Sequence, residues 1–480
     1  MPGFHARTIL PAVLCVALGA ASCLRLECSP LDTTCSPGAL LLSVALLNTC
    51  ETTEFVTYAG GAGSNPIAYV IQTANFDYVA VGSASEGFGE PLNAHTGGGV
   101  NDIWISRYGQ SGELLWSTFY GSALQDDGQH VLELADGSLI VTGDANAGFG
   151  TPLNPHQGNT DMAILRLSAD GALIWNTFAG SPALDRGEAA VLRPDGLFWV
   201  AGRAGADFTG SAGTPFAAYT GSASMAAAVL FDDAGTPSFN ALLGPAGDTA
   251  AFTSAALFEN SAVFGGFAAA DFGSPVNPHS GGFNDTYVQA LTNTPTPALG
   301  NSTFFGGTTA EIHDDSTRLP SNELVTVGGS LGTAGAPIRG FSGGFDMALE
   351  KFSSSGDRIF NTYLGGAGND TPEGSSALSD GSSVVTGRST ASWGAPLRAF
   401  QGSTAEVTIA RLQATGELIS STFYGDGGNS GGNTVTGTCD GGLLVSGESS
   451  GEFTGLDPAL SPHTNLAEDS FLLKLPPGEL

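Results

Sequence analysis

Apolar residues in this chain fall into short runs separated by turn residues, and the runs come in groups of four. The stretch from Gly121 to Gly180 shows the pattern. Val131-Leu-Glu-Leu134 and Leu139-Ile-Val-Thr142 flank Asp136-Gly137, while Met162-Ala-Ile-Leu-Arg-Leu167 and Ala172-Leu-Ile-Trp-Asn-Thr-Phe178 flank Asp170-Gly171. A long polar stretch ending at Asp161 joins the two halves. Alternating or wholly apolar runs of this length, closed by Asp-Gly, predict strand–turn–strand units.

The group recurs. A phrase of the form Thr-aromatic-x-Gly is centred on Tyr58, Phe119, Phe178, Phe304, Tyr363 and Phe423, with the variant Ala-Leu242-Leu-Gly as its seventh copy, spaced by about 60 residues. A fixed period of that length marks a repeat architecture, in which each unit buries its apolar face only against its neighbours. Four strands per unit predict a propeller blade. Other copies keep the punctuation, with Asp195-Gly196, Asp380-Gly381 and Asp440-Gly441 at the first turn and Ser111-Gly112, Ala234-Gly235, Ser355-Gly356 and Thr415-Gly416 at the second. The unit at about 245–307 lacks both Gly-bearing turns and is expected to be the most irregular.

The chain ends after the third strand of its last unit, near Phe471–Leu475. Its fourth-strand phrase stands at the other terminus, in Glu54-Phe-Val-Thr-Tyr58. The fold class expected is therefore all-β: a seven-bladed β-propeller of four-stranded antiparallel blades, its last blade closed by the N-terminal strand. Such closure hides edge strands that an open array would expose.

Composition agrees. Gly at 70 and Pro at 25 of 480 residues supply turns, and a charged fraction of 13% is too small for long exposed helices. The balance of 15 Lys and Arg against 46 Asp and Glu, a net −31, repels phosphate backbones and anionic headgroups. Nucleic acid is thus not an expected partner.

Residues 1–22 read as an export signal: a weakly basic start with Arg7, an apolar run from Ile9 to Leu18 too short to span a bilayer, then Gly19-Ala-Ala-Ser22 before Cys23. Small residues leading into Cys resemble a bacterial lipobox, with Ala20 where the strict form has Leu, and this resemblance makes Cys23 the lipidated first residue of the mature chain. Residues 23–53 then form a Cys-rich tether, and 54–480 the propeller. Export permits disulfides. Cys28, Cys35, Cys50 and Cys439 allow three connectivities. A Cys50–Cys439 bridge would latch the last blade, leaving Cys28–Cys35 as the second pair.

The stretches of the type Asp136-Gly-Ser-Leu-Ile-Val-Thr-Gly143, the acidic residue opening Asp161-Met-Ala-Ile-Leu-Arg-Leu167, and the Thr-Phe-x-Gly phrase together resemble the bacterial seven-bladed β-propeller (SBBP) repeat proteins over about residues 54–480. The resemblance implies an extracytoplasmic propeller and no particular activity. Kelch and tryptophan-docked quinoprotein propellers are rivals, on Gly265-Gly266 and Gly328-Gly329 and on Trp116 and Trp175 respectively.

Candidate chemistry lies on the loop-rich face, where connections from second to third strands and from fourth strands to the next first strands converge. The long connection carries His95, His156, His279 and His463. The same slot holds Tyr219, Phe341 and Phe400 elsewhere, so a flat ring that packs between blades explains it better than metal ligation. An acidic residue then recurs as Asp102, Asp161, Asp285, Asp346, Glu406 and Asp469, suited to accepting backbone N–H bonds. The shorter connection carries Asp126, Asp127, Asp185, Asp248, Asp314, Asp315 and Asp370, which at a channel mouth could gather cations or sugar hydroxyls. Arg107, Arg166, Lys351, Arg411 and Lys474 fall in register on third strands and read as a solvated outer face. No His-Glu-x-x-His or phosphate-loop motif is present, and no metal site is assigned.

The functional expectation is an exported lipoprotein of the bacterial cell envelope, in the outer membrane. It would act as a monomeric binding module for a protein or glycan through the loop-rich face, without a cofactor unless calcium serves. The alternatives are a carbohydrate-active enzyme using carboxylates at the channel mouth, with two carboxyls about 5–10 Å apart, and a calcium-stabilised structural protein.

Overall fold

The computed structural model describes residues 13–14 and 24–25, and 50–480 apart from 62, 209–212, 218–220, 222, 403, 457–458 and 465–467. The chain divides into two compact units, Met1–Cys50 and Glu51–Leu480. In the first, Val13–Leu14 pairs antiparallel with Leu24–Arg25. Cys23, Cys28 and Cys35 lie outside the described residues, as does nearly all of the export signal.

The second unit is the seven-bladed propeller that the repeat predicts. Blade one comprises Ile67–Gln72, Tyr78–Ala84, Asp102–Tyr108 and Leu114–Tyr120. Blades two to six span residues 126–179, 186–243, 250–305, 311–364 and 370–424. Blade seven joins Ser430–Gly437, Leu443–Ser449 and Asp469–Leu475 to Phe55–Ala59, whose Tyr58 pairs with Phe471. Each first strand packs against the first strands of both neighbouring blades, so the ring is closed. Cys50 and Cys439 form the expected disulfide.

Strand periodicity builds the core. Successive side chains point to opposite faces of a blade, so Val79 and Val81 meet Val131 and Val141 of blade two, while Tyr78 and Ala80 meet Leu444 and Leu472 of blade seven. Second strands are covered on both sides and are accordingly almost wholly buried, as in Tyr78–Ala84. The first hairpin closes as the Asp-Gly signal requires. Gly137 takes φ 81°, Leu134 N donates to Ser138 O, and Asp136 Oδ1 accepts Ser138 N.

Three features depart from the sequence reading. Blade four is regular, because Glu259-Asn260 makes a tight turn on its own, with Phe258 N donating to Ser261 O. The irregular blade is the third, where Thr214–Ala217 runs parallel to Pro237–Leu243 as a fifth strand. That fifth strand regularises something other blades also do. Their long loops lie extended along the fourth strand, as when Leu92 N donates to Ser117 O and Phe119 N to Asn93 O, so each outer edge is covered by its own loop.

The third-strand cations are also not a solvated face. Arg107, Lys351 and Lys474 are buried. Arg107 pairs with Asp77 at 2.9 Å and donates to Ala169 O, 3.0 Å away in the next blade's turn. Arg166 reaches Asp233 O at 2.6 Å, Lys351 reaches Ala414 O at 2.9 Å and Arg411 reaches Leu480 O at 2.7 Å. These four tie neighbouring blades together at the rim, whereas Lys474 pairs with Asp440 of its own blade at 2.8 Å. The sequence could not show this, because the partner is a backbone carbonyl about a full repeat away.

Candidate functional site

The recurrent carboxylates that open the third strands are all fully buried, and each clasps the long loop. Asp102 accepts Thr96 N at 2.7 Å, Asp161 accepts Gln157 N at 2.5 Å, Asp346 accepts Ser342 N at 2.5 Å and Asp469 accepts Thr464 N at 2.6 Å. The donating amide in each case follows the aromatic slot. The ring in that slot stacks edge-on against the phrase aromatic of its own blade, not between blades. His95–Phe119, His156–Phe178, His279–Phe304, Phe341–Tyr363, Phe400–Phe423 and His463–Tyr58 have centroids 5.5 to 6.0 Å apart at 73° to 88°. His95 Nε2 donates to Ala84 O at 2.9 Å while its Nδ1 accepts Gly97 N at 2.8 Å, which occupies both ring nitrogens. Tyr219 lies outside the described residues.

Asp126, Asp185 and Asp370 are likewise fully buried under the short loops, away from the channel. They accept Ser122 N, Ser181 N and Gly366 N at 2.5, 2.5 and 2.8 Å. Asp102 and Asp126 converge under Gly121, where an added Cβ would stand 2.5 Å from one carboxylate and 2.9 Å from the other. The glycine that ends the phrase is thus required by the carboxylates on either side of it. Burial pushes Asp126, Asp161 and Asp346 up to about 6, against the pull of their amide hydrogen bonds. Asp127 is held by Asn101 and Gln125, each at 2.7 Å. Asp248 is exposed and caps Thr249 N.

The channel is lined by a different set. Every first strand carries a β-bulge, and the residues displaced from pairing are Ala68, Gln129, Glu188, Thr253, Asp314, Glu373 and Asn433. A bulge frees a side chain from the ladder and re-aims it. Here all of them line one cavity of about 260 Å³ on the axis, together with Tyr69, His130, His313 and Asp315. Among the sequence candidates, Asp314 and Asp315 reach this cavity; the others do not. Gln129, Glu188, Thr253, Glu373 and Asn433 were missed, because the slot varies from blade to blade while its frame repeats.

The cavity is acidic and polar. Burial, with the Glu373 and Asp315 charges beside it, raises Asp314 well above the carboxylate range, and burial likewise raises Glu188 against the opposing Arg203 and Arg186. Burial pushes His130 and His313 down to about 3, so both rings are neutral. His130 stacks on Tyr69 with centroids 3.9 Å apart, and His313 Nδ1 meets Thr253 Oγ1 at 2.7 Å. Amide, hydroxyl and carboxyl groups around a stacked aromatic pair suit a small polyhydroxylated or cationic group. Among the described residues, no group of three or more His, Cys, Asp or Glu side chains is arranged to hold a metal ion.

No family model matches the chain. A curated relative, the regulatory protein FlaEY of Caulobacter vibrioides, is 24% identical over 390 residues, covering 73% of this chain and 38% of that protein. The chain thus spans under two-fifths of the relative's length. Solved structures similar in outline include the Neurospora crassa Pan2 WD40 domain (TM-score 0.42, 8% identity, 89% of this chain and 98% of that one). Puromycin hydrolase is another (TM-score 0.43, 13% identity, 80% and 50%). The blade assignment itself rests on the strand pairing described above.

Proposed function

We propose that the propeller is an interaction module that engages a glycan or protein group at the axial cavity and the loop face around it. The observation that carries this reading is the ring of bulges: an otherwise repeated frame points one residue per blade, of six types in seven blades, into a single polar cavity. The name of the Caulobacter relative, a regulatory protein, is compatible with an interaction module, and the repeat phrase supports membership of the SBBP repeat proteins. On the same footing we place the module in the bacterial envelope, exported by residues 1–22 and lipid-anchored through Cys23.

The test is a binding screen of the full chain against glycan arrays and envelope components, with calcium and with chelator. Saturable binding lost in both Asp314→Asn and Glu373→Gln supports the reading; binding indifferent to both refutes the cavity as its site. A second reading, a carbohydrate-active enzyme, is favoured by one observation. Asp314 and Glu373 are electrostatically coupled carboxyls from adjacent blades in one cavity, with Asp314 raised. Turnover of a bound glycan, abolished by either substitution, would promote it.

A further inference from the structure

A groove of about 440 Å³ lies over the seam between blades five and six on the loop face, and it meets the axial cavity at Asp314 and Glu373, which line both. Its walls are mainly apolar, from Ile312, Leu331, Phe345 and Pro372. Ile312 is 45% exposed and Leu331 51%, so neither belongs to the core.

The repeat shows that this apolar patch is particular to blade five. Two places before the bulge, where blade five has Ile312, the other blades have Pro66, Asp127, Arg186, Ala251, Thr371 and Gly431. Directly after the second strand, the place of Leu331 holds Ser85, Asn146, Gly205, Ala269, Thr390 and Ser450. Directly before the third strand, the place of Phe345 holds Asn101, Thr160, Ser224, Asn284, Ala405 and Glu468. No other blade sets a large apolar side chain at any of the three, so the fold does not require one. The frame is also cleared for the ring: a Cβ on Gly329 would overlap Phe345, and the same place carries a side chain in every other blade, from Ser83 to Glu448.

Where the groove meets the axial cavity it is charged, and the charge is unmatched. The side chains of Asp314 and Glu373 have no hydrogen bond or ion pair among the described residues. No Lys or Arg lines the groove or the axial cavity, and the two His rings there are neutral. Arg388, whose charge acts on Glu373, is engaged with Glu448 at 2.6 Å. Charge complementarity therefore favours a cation, and the apolar walls favour a body of carbon attached to it. With no group of side chains among the described residues arranged to hold a metal ion, that cation is organic.

We propose that the groove and the two carboxyls at its inner end bind a small organic ammonium ion, an amine carrying an alkyl or aryl body. Its N–H groups donate to Asp314 and Glu373, and its body lies against Ile312, Leu331 and Phe345. This site rests on the reading that the axial cavity takes a ligand, and it names that ligand's charged end.

Saturation-transfer NMR titration of the full chain with phenethylammonium tests it, against phenethyl alcohol, which lacks the charge, and ethylammonium, which lacks the ring. Phenethylammonium is expected to bind saturably and at least about tenfold more tightly than either, the worth of one charge-assisted hydrogen bond or of one buried ring. Asp314→Asn with Glu373→Gln is expected to bring it down to the affinity of the alcohol. Ile312→Thr with Leu331→Ser is expected to weaken it about tenfold and to leave ethylammonium unchanged. Asn433, Gln129, Thr371 and Ser450 hold the replacing side chains at the same places in other blades, so both double variants are expected to fold, and circular dichroism melts check it. Equal affinity for ammonium ion and alcohol, no saturable binding, or affinity unchanged in either double variant overturns the proposal. Sedimentation that finds dimers lost in Ile312→Thr with Leu331→Ser overturns it too, by giving the groove to a second copy of the chain. If the ammonium ion fails while glycan or envelope binding still depends on Asp314 and Glu373, the axial reading stands without this one; if no ligand depends on them, both fall.

Discussion

Replacing Gly365 by alanine isolates the role of the phrase glycine. An alanine Cβ there would lie 2.6 Å from Asp346 Oδ1 and 2.9 Å from Asp370 Oδ2. Both carboxylates are fully buried and cannot swing to solvent. To make room they must loosen their bonds to Ser342 N at 2.5 Å and Gly366 N at 2.8 Å. A hydrogen bond to a charged group contributes about 1.5–3 kcal/mol, so losing both costs about 4 kcal/mol. Removing a glycine from the unfolded chain returns about 0.5–1 kcal/mol, leaving a net loss of about 3 kcal/mol. Gly340→Ala is the matched control: its Cβ meets nothing within 4 Å and its φ is not positive. It should be neutral or slightly stabilising. With an unfolding entropy of about 2.1 cal/mol/K per residue over roughly 430 ordered residues, a gap of about 3–4 kcal/mol corresponds to about 4 °C in Tm. Calorimetry of the two variants side by side measures it. A Gly365→Ala melt within 1 °C of the Gly340→Ala melt would show that the carboxylates do not dictate the glycine.

Other outcomes follow from the same structure. Asp126, Asp161 and Asp346 are raised from the usual carboxylate range to about 6; their contribution to stability is full below about pH 4 and is lost as pH rises through 6. Tm should therefore be higher at pH 4.5 than at pH 7.5 in constant salt, and a Tm that rises over that interval contradicts the burial argument. Arg107→Met removes the pairing with Asp77 and the bond to Ala169 O; leaving Asp77 and the carbonyl unmatched should cost about 3 kcal/mol in urea unfolding, and less than about 1 would mean the blades are not held there. Non-reduced peptide mapping should recover Cys50 joined to Cys439; Cys439 found with any other cysteine refutes the pairing.

The architecture was legible because its causes are local and repeated. Asp136-Gly137 writes a hairpin by itself, and the stray phrase at Tyr58 could only complete the blade that lacked one. What escaped depends on neighbours. The destination of Arg107 lies in another blade, and the bulge at Asp314 becomes visible only when His313 and Asp315 are seen paired with consecutive residues of the next strand. The channel residues escaped for the opposite reason: a slot that reads Ala, Gln, Glu, Thr, Asp, Glu and Asn looks like noise in an internal alignment.

Closure by Phe55–Ala59 sets an order of events. These residues enter the sequence before every other blade strand, yet their partner, Asp469–Leu475, comes some 400 residues later. For as long as synthesis and folding of the intervening blades take, Tyr58 has no sheet to join and blade seven has no outer strand. The slowest step of folding should then be the return of this one short strand. Until it docks, the ring has a single vulnerable edge, open to proteases, to chaperones and to a second copy of the same chain.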